Sequence, residues 1–153
     1  CFAGGLEAAL TCDFIYADRD ARFALTECRL GIMPGCMGTQ TLARAVGERR
    51  AKELILAARE FTADEAARWG LVNELCEPGT VVERALACAR QIAGNAPLSV
   101  RQAKKAIHAG LQTDLHTGYR LELEAWHRLL DTEDRREGVA AFVEKRKPRF
   151  QGR

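Results

Sequence analysis

The sequence lacks paired cysteines, long apolar runs and internal repeats. Its six cysteines are widely spaced, with no C-x-x-C pair and no cluster with histidine, so neither a disulfide frame nor a zinc site is expected. Most of them lie in apolar company, which predicts reduced, buried thiols in an intracellular protein. No apolar run approaches the roughly 18 residues of a membrane span, and no signal peptide is visible.

The chain also lacks an excess of charge of one sign. It has 23 Lys and Arg residues against 21 Asp and Glu residues, for a net charge of +2, so nucleic acid is not an expected partner. Hydrophobic residues make up 47% of 153 residues, which excludes a disordered chain and suits one globular domain or slightly more. A basic end is the local exception: Lys145, Arg146, Lys147, Arg149 and Arg153.

A glycine pair near the start is followed by an apolar-periodic run at residues 6–10, which predicts a helix beginning at the pair. A helix start presents unpaired N–H groups, which can stabilise an anion or a developing oxyanion. Glu7 would lie one turn into this helix, close to whatever the N–H groups bind. A second acid, Glu27, follows a predicted strand at residues 22–25, and working residues often lie where strands end.

Strand and helix patterns alternate over the first half of the chain, which indicates an α/β architecture. Predicted strands cover residues 13–17, 22–25 and 71–75, and predicted helices cover 5–12, 39–46 and 48–58. Residues 31–38 hold three glycines and Pro34, which indicates a loop of special backbone geometry. Thr62 and Glu65 form a capping box, and the helix that they start ends at Trp69, before a left-handed Gly70.

Beyond Pro78 the strand patterns stop. Helices are predicted at residues 81–92, 97–109, 114–130 and 133–146. We therefore expect two domains, an α/β core at residues 1–95 and a helical domain at residues 96–153.

Each of these features taken alone has a simpler explanation. Glu7 is then a first-turn glutamate that stabilises a helix, and Glu27 is a solvated loop acid. Paired glycines are common in turns, and Gly35 after Pro34 is ordinarily part of one.

The histidines and the aromatic residues of the second half have structural explanations too. His108, His116 and His127 lie in predicted helices without a metal-site spacing, as surface or core histidines do. Tyr119 and Trp126, seven residues apart, predict a buried stripe of a helix.

In their order along the whole chain, several motifs resemble those of one family. They are Ala-Gly-Gly-Leu-Glu at 3–7, Cys-Asp at 12–13, residues 23–27, Gly-Ile-Met-Pro-Gly-Cys-Met-Gly-Thr-Gln at 31–40, residues 44–47, 63–66 and 69–72, and the stretch from 134 to 148. The chain resembles the enoyl-CoA hydratase (crotonase) superfamily. The resemblance implies an α/β fold, a crotonase-like spiral of ββα units, of which this chain is the second half, followed by a helical C-terminal extension. Earlier residues of a longer protein would then carry a second oxyanion donor and any targeting peptide.

The resemblance implies roles for four residues in adding water to a 2-enoyl-CoA thioester. Gly4 N–H would bind the thioester oxygen as an oxyanion donor. Glu7 and Glu27 would hold a water between them, with Glu7 activating it for attack at C3 and Glu27 protonating C2. Gly35 would line the same pocket.

The resemblance also implies partners and setting. Phe142 and Lys145 would contact the adenine and phosphate end of coenzyme A, which is part of the substrate, and no metal or other cofactor is required. The chain would be a lyase of fatty acid metabolism in the cytoplasm, or in the mitochondrial matrix of a eukaryote. It would assemble as a homotrimer or hexamer through residues 96–153, and it would bind neither nucleic acid nor a membrane.

Alternatives remain at this stage. Other members of the superfamily are isomerases or hydrolases, although two acids at the hydratase positions favour hydration. Residues 105–107, 114–115, 135–138 and 148–150 resemble the methylglutaconyl-CoA hydratase branch. A different class of function is a non-catalytic or RNA-binding interaction fragment, for which the basic end is the only feature in the sequence.

Overall fold

Short strands and helices alternate in the first half of the chain, as predicted. The computed structural model describes all residues, 1–153. The elements of this half are α1 (Gly4–Leu10), β1 (Tyr16–Asp18), β2 (Arg22–Phe23), a 3₁₀ helix (Glu27–Leu30), α2 (Gly38–Val46), α3 (Glu48–Leu56), β3 (Phe61–Thr62), α4 (Ala63–Arg68) and β4 (Glu74–Cys76).

Two small sheets hold these elements together. Strands β1 and β4 are parallel, and β2 and β3 are antiparallel, with Phe23 opposite Phe61. The predicted strands at 13–17 and 71–75 begin later than expected because Asn73 interrupts the ladder. Its side-chain oxygen accepts from Ile15 N–H, and its own N–H donates to Ile15 O, both at 2.8 Å. Regular pairing therefore begins only at Tyr16 opposite Glu74.

The local signals of helix ends are confirmed. Thr62 accepts from the Glu65 N–H while the Glu65 carboxylate accepts from the Thr62 N–H, which completes the capping box. Gly70 has φ of 76°, and Gly47, with φ of 85°, separates α2 from α3. Glycine suits these positions because a Cβ disfavours positive φ.

The core of this half lies between the helices and the small sheets. Its largest fully buried side chains are Phe61, Leu6, Leu25, Leu42 and Leu54. The Phe61 ring lies 5.6 Å from that of Phe23 and 5.4 Å from that of Trp69, measured between ring centroids. Each of these large side chains stabilises the fold by about 1.5–3 kcal/mol through burial.

The second half is helical, as predicted. Its helices are α5 (Val81–Ala93), α6 (Pro97–Gly110), α7 (Leu115–His127) and α8 (Glu133–Val143). Asp114 caps α7 by accepting from Thr117 N–H, and Thr132 caps α8 by accepting from Arg135 N–H. Within this half α6 packs on α7, where a Cβ built on Gly118 would lie 3.4 Å from the Gly110 Cα.

The chain divides into two compact units, Cys1–Leu86 and Ala87–Arg153. The division falls inside α5, before the boundary at residue 95 that the sequence suggested. The first turns of α5 stay with the first unit because Arg84 donates to both Glu74 oxygens, at 2.7 and 3.0 Å.

Residues 149–153, which we call the C-terminal segment, fold back onto α8. Asp134 accepts from the Gln151 N–H at 2.6 Å and from the Gly152 N–H at 2.8 Å. Glu137 accepts from the Arg146 guanidinium and from the Arg149 N–H. These bonds lower the pKa of Glu137 to about 2, and the bond from Arg146 contributes most.

Two burial predictions are wrong. All six cysteines are free, but only Cys76 is buried. Cys1 is exposed, and so are Cys12, which follows the end of α1, and Cys36, which lies in a loop. Tyr119 and Trp126 share a face of α7 but are 57% and 54% exposed. That face borders an open groove against α6 rather than a core.

Two further findings concern membranes and metals. No helix is long and apolar enough to cross a bilayer. No group of three or more His, Cys, Asp or Glu side chains is arranged to hold a metal ion.

Candidate active site

The start of α1 is placed by pairing with the strand that leads to Glu27. Phe2 forms a parallel bridge with Ala24, and the Ala3 N–H donates to Ala24 O at 2.8 Å. Ala3 has φ of 50°, and this turn of the backbone starts α1 directly after the bridge. Glu7 and Glu27 therefore follow two segments that pair side by side.

Glu7 is buried, with 3% of its surface exposed, and its carboxylate is anchored by the loop before α2. Oε1 accepts from the Cys36 N–H at 2.8 Å and from the Gly38 N–H at 2.9 Å. The residue between them, Met37, has φ of 73°. Backbone N–H groups in such left-handed turns form concave sites for anions. No hydrogen bond from the chain reaches Oε2 of Glu7.

Glu27 is the second buried acid of this region. It opens the 3₁₀ helix, is 8% exposed, and its Oε2 is buried without a hydrogen-bond partner. Buried carboxylate oxygens are rarely left unpaired in folded proteins. Only Glu7, Glu27 and Asp134 are buried charged residues, so two of the three lie in this region. No hydrogen bond joins the Glu7 and Glu27 carboxylates.

Gly4 offers a backbone donor at the start of α1. Its neighbours are used within the turn, since the Gly5 N–H donates to Phe2 O and the Leu6 N–H to Ala3 O. The Gly4 N–H donates to no group of the chain. Gly4 is exposed, and no atom lies within 4 Å of a Cβ built on it, so this residue borders open space. Its N–H is therefore a candidate donor to a carbonyl oxygen.

The remaining residues singled out from the sequence lie in two places. Gly35 is exposed and directly precedes the Cys36 N–H that binds Glu7, so the structure brings Gly35 and Glu7 into one region. Phe142 and Lys145 belong to the other unit, at the end of α8. Phe142 is 85% exposed, and Lys145 is exposed with φ of 54°.

The sequence did not single out the partners of Glu7. The contacts come from the N–H groups of Cys36 and Gly38, 29 and 31 residues further along the chain. The only available signal was the glycine-rich character of residues 31–38, which indicated special backbone geometry.

Comparisons with known proteins agree on one family. The family model described as "Enoyl-CoA hydratase/isomerase" matches residues 1–153. The chain is 46% identical over 149 residues to "Probable enoyl-CoA hydratase 2, mitochondrial" of Arabidopsis thaliana, covering 97% of this chain and 50% of that protein. It is 45% identical over 144 residues to "Short-chain-enoyl-CoA hydratase" of Clostridium acetobutylicum, covering 94% and 55%.

The solved structures agree. The crystal structure of enoyl-CoA hydratase from Bacillus anthracis superposes with a TM-score of 0.97 and 45% identity, over 100% of this chain and 59% of that one. The chain thus spans about half the length of the curated relatives named above. It has the α/β crotonase fold of its structural relatives, and it belongs to the enoyl-CoA hydratase/isomerase family.

Proposed function

We propose that this chain carries the two acids of an enoyl-CoA hydratase, a lyase that adds water to a 2-enoyl-CoA thioester. One observation carries the proposal: two buried glutamates lie in one region, and neither Oε2 of Glu7 nor the carboxylate of Glu27 accepts a hydrogen bond from the chain. A water molecule is a suitable partner for two such oxygens, since buried polar groups are normally satisfied by protein or water. Curated relatives of the chain carry the name enoyl-CoA hydratase.

In the proposed reaction the thioester oxygen accepts from the Gly4 N–H, which polarises the conjugated double bond. The water oxygen forms a bond to C3 while one of its protons passes to Oε2 of Glu7. The electron pair of the double bond moves toward the thioester, and the oxyanion that develops is stabilised by Gly4. Glu27 then donates a proton to C2, and water restores the protonation of both acids. Both glutamates act from one side of the double bond, so the addition is syn.

The geometry of Glu7 supports its role as base. Because two N–H donors occupy Oε1, only Oε2 can take up a proton without losing a hydrogen bond. Carbonyl polarisation, a base and an acid are all that this addition needs, and these residues supply them. Coenzyme A enters as part of the substrate. A second oxyanion donor would raise the rate further, since one donor typically contributes about 100- to 1,000-fold.

The end of α8 supports a contact with coenzyme A. The exposed Phe142 ring offers a stacking surface for adenine, and the Lys145 ammonium offers a charge for phosphate. Glu137 and Glu144 hold Arg146, whereas no ion pair engages Lys145. We propose these two residues as the coenzyme A contacts.

Exposed apolar side chains of the second unit support assembly as a homotrimer or hexamer. Ile107, Leu111, Leu115, Tyr119 and Trp126 all border the groove between α6 and α7, whose volume is about 740 Å³. Large exposed apolar surfaces commonly mark contacts between proteins. This assembly, a place in fatty acid metabolism and a preference for methylglutaconyl-CoA stay predictions.

The alternative of RNA binding gains little from the basic end. Arg146 is paired with Glu137 and Glu144, and Arg153 is paired with Glu133. Pairing weakens the attraction of these two arginines for phosphates.

The test is hydration of crotonyl-CoA, followed by loss of the enoyl-thioester absorbance. Glu7→Gln and Glu27→Gln should each lower kcat by about 100-fold or more, the usual contribution of one acid or base. Glu83→Gln is the matched control, because Glu83 is an exposed helix residue of the same unit. Full activity in both site variants would contradict the mechanism. An inactive wild-type chain would refute hydration by this chain on its own.

A further inference from the structure

The first residue of α2 contacts the Glu7 carboxylate so closely that no side chain fits there. A Cβ built on Gly38 would lie 2.8 Å from Glu7 Oε1, 2.9 Å from Glu7 Cγ and 3.1 Å from Pro34 Cβ. Real Cβ atoms essentially never approach other heavy atoms to under 3.0 Å. Gly38 and Glu7 are both buried, so a methyl group added at residue 38 would have to displace the Glu7 side chain.

The same residue donates one of the two hydrogen bonds to Oε1. The Gly38 N–H lies 2.9 Å from that oxygen, and the Cys36 N–H lies 2.8 Å from it on the other side of Met37. The close approach and the two bonds act together. Absence of a side chain lets the carboxylate reach the N–H groups, and the N–H groups then fix its orientation.

We propose that Gly38 is a positioning residue for Glu7. Its N–H holds Oε1 in place, so that Oε2 is the oxygen that receives the proton of water. The transfer of a proton to Oε2 rests on the proposed function, whereas the contact between Gly38 and Glu7 does not depend on it. Positioning of this kind matters because a displacement of about 1 Å can lower a catalytic rate about 100-fold.

Gly38→Ala tests the inference, first in a way that is independent of activity. The added methyl group displaces the Glu7 carboxylate, so the Cys36 N–H loses its acceptor. Cys36 is exposed and its N–H has no other partner, so its amide hydrogen should exchange at least about tenfold faster in the variant. Gln40→Ala, an exposed substitution in the first turn of the same helix, is the control and should leave this exchange rate unchanged.

A double substitution separates a specific clash from general damage. Glu7→Ala removes both Glu7 atoms that the new Cβ would meet within 3.0 Å. Gly38→Ala should therefore lower the thermal midpoint clearly in the wild-type background and much less in the Glu7→Ala background. Equal losses in the two backgrounds would show that the clash does not involve Glu7 and would overturn the proposal, even if the single variant folds poorly.

Kinetics complete the test. With crotonyl-CoA, Gly38→Ala should lower kcat about 100-fold while KM changes little, and Gln40→Ala should change neither. Unchanged kcat in Gly38→Ala, or an unchanged Cys36 exchange rate, would overturn the proposal. If the wild-type chain does not hydrate crotonyl-CoA, the proposed function fails. The Cys36 exchange rate and the thermal midpoints in the two backgrounds then decide whether Gly38 holds the Glu7 carboxylate.

Discussion

Asp134 holds the C-terminal segment, and replacing it by asparagine measures how much this contact contributes to the free energy of unfolding. One carboxylate oxygen accepts from the Gln151 N–H at 2.6 Å and the other from the Gly152 N–H at 2.8 Å, and the side chain is 3% exposed. Asparagine keeps the shape but has only one oxygen, so its NH₂ group would face one of the two N–H donors. A hydrogen bond to a charged group contributes about 1.5–3 kcal/mol. Asp134→Asn should therefore lower the free energy of unfolding of the second unit by about 2–3 kcal/mol.

The assay uses the position of the two tryptophans. Trp126 lies in the same unit as Asp134, and Trp69 lies in the other. In a Trp69→Phe background, urea unfolding followed by tryptophan fluorescence reports the unit that contains Asp134. Asp131→Asn is the matched control, because Asp131 is exposed, and it should stay within about 0.5 kcal/mol of the background. An equally small effect of Asp134→Asn would refute the reasoning.

Three further predictions concern stability. Arg146 holds the pKa of Glu137 at about 2, below its ordinary 4.5, so the stabilisation from ionised Glu137 is present above about pH 4.5 and is lost as the pH falls toward 2. Glu137→Gln should flatten that part of the pH dependence of the urea midpoint, and an unchanged slope would contradict the assignment. Thr62→Ala removes the acceptor of the Glu65 N–H and should lower the free energy of unfolding by about 1 kcal/mol in urea titrations. Met37→Gly should keep or raise the thermal midpoint, because Met37 is exposed at φ of 73°, and a fall of several degrees would argue against strain there.

Helix signals were read reliably from the sequence. The capping box at Thr62, the glycine stop at Gly70 and the break at Gly47 all lie where they were expected. Each depends on residues within one turn of one another, so neighbouring sequence contains the whole cause. The strands were predicted less well, because Asn73 interrupts the ladder through contacts with Ile15, 58 residues away in sequence.

The Glu7 and Glu27 pair became visible only through the order of motifs along the chain. Each acid alone is an ordinary helix or loop glutamate by its local sequence. Burial of both side chains is a property of the packed unit, in which residues 1–3 pair with the strand that precedes Glu27. The aromatic pair shows the opposite case, since the spacing of Tyr119 and Trp126 predicted burial and the structure exposes both.

The sequence by itself determined the alternation of elements, the helix starts to within one residue and the family to which the chain belongs, because these follow from local propensity and from the order of motifs. Only the tertiary structure decided which N–H groups hold Glu7, that Oε2 of Glu27 has no partner in the chain, and that a side chain at Gly38 would collide with Glu7. These features depend on contacts between segments about thirty residues apart, and such contacts form only when hydrophobic burial brings the segments together.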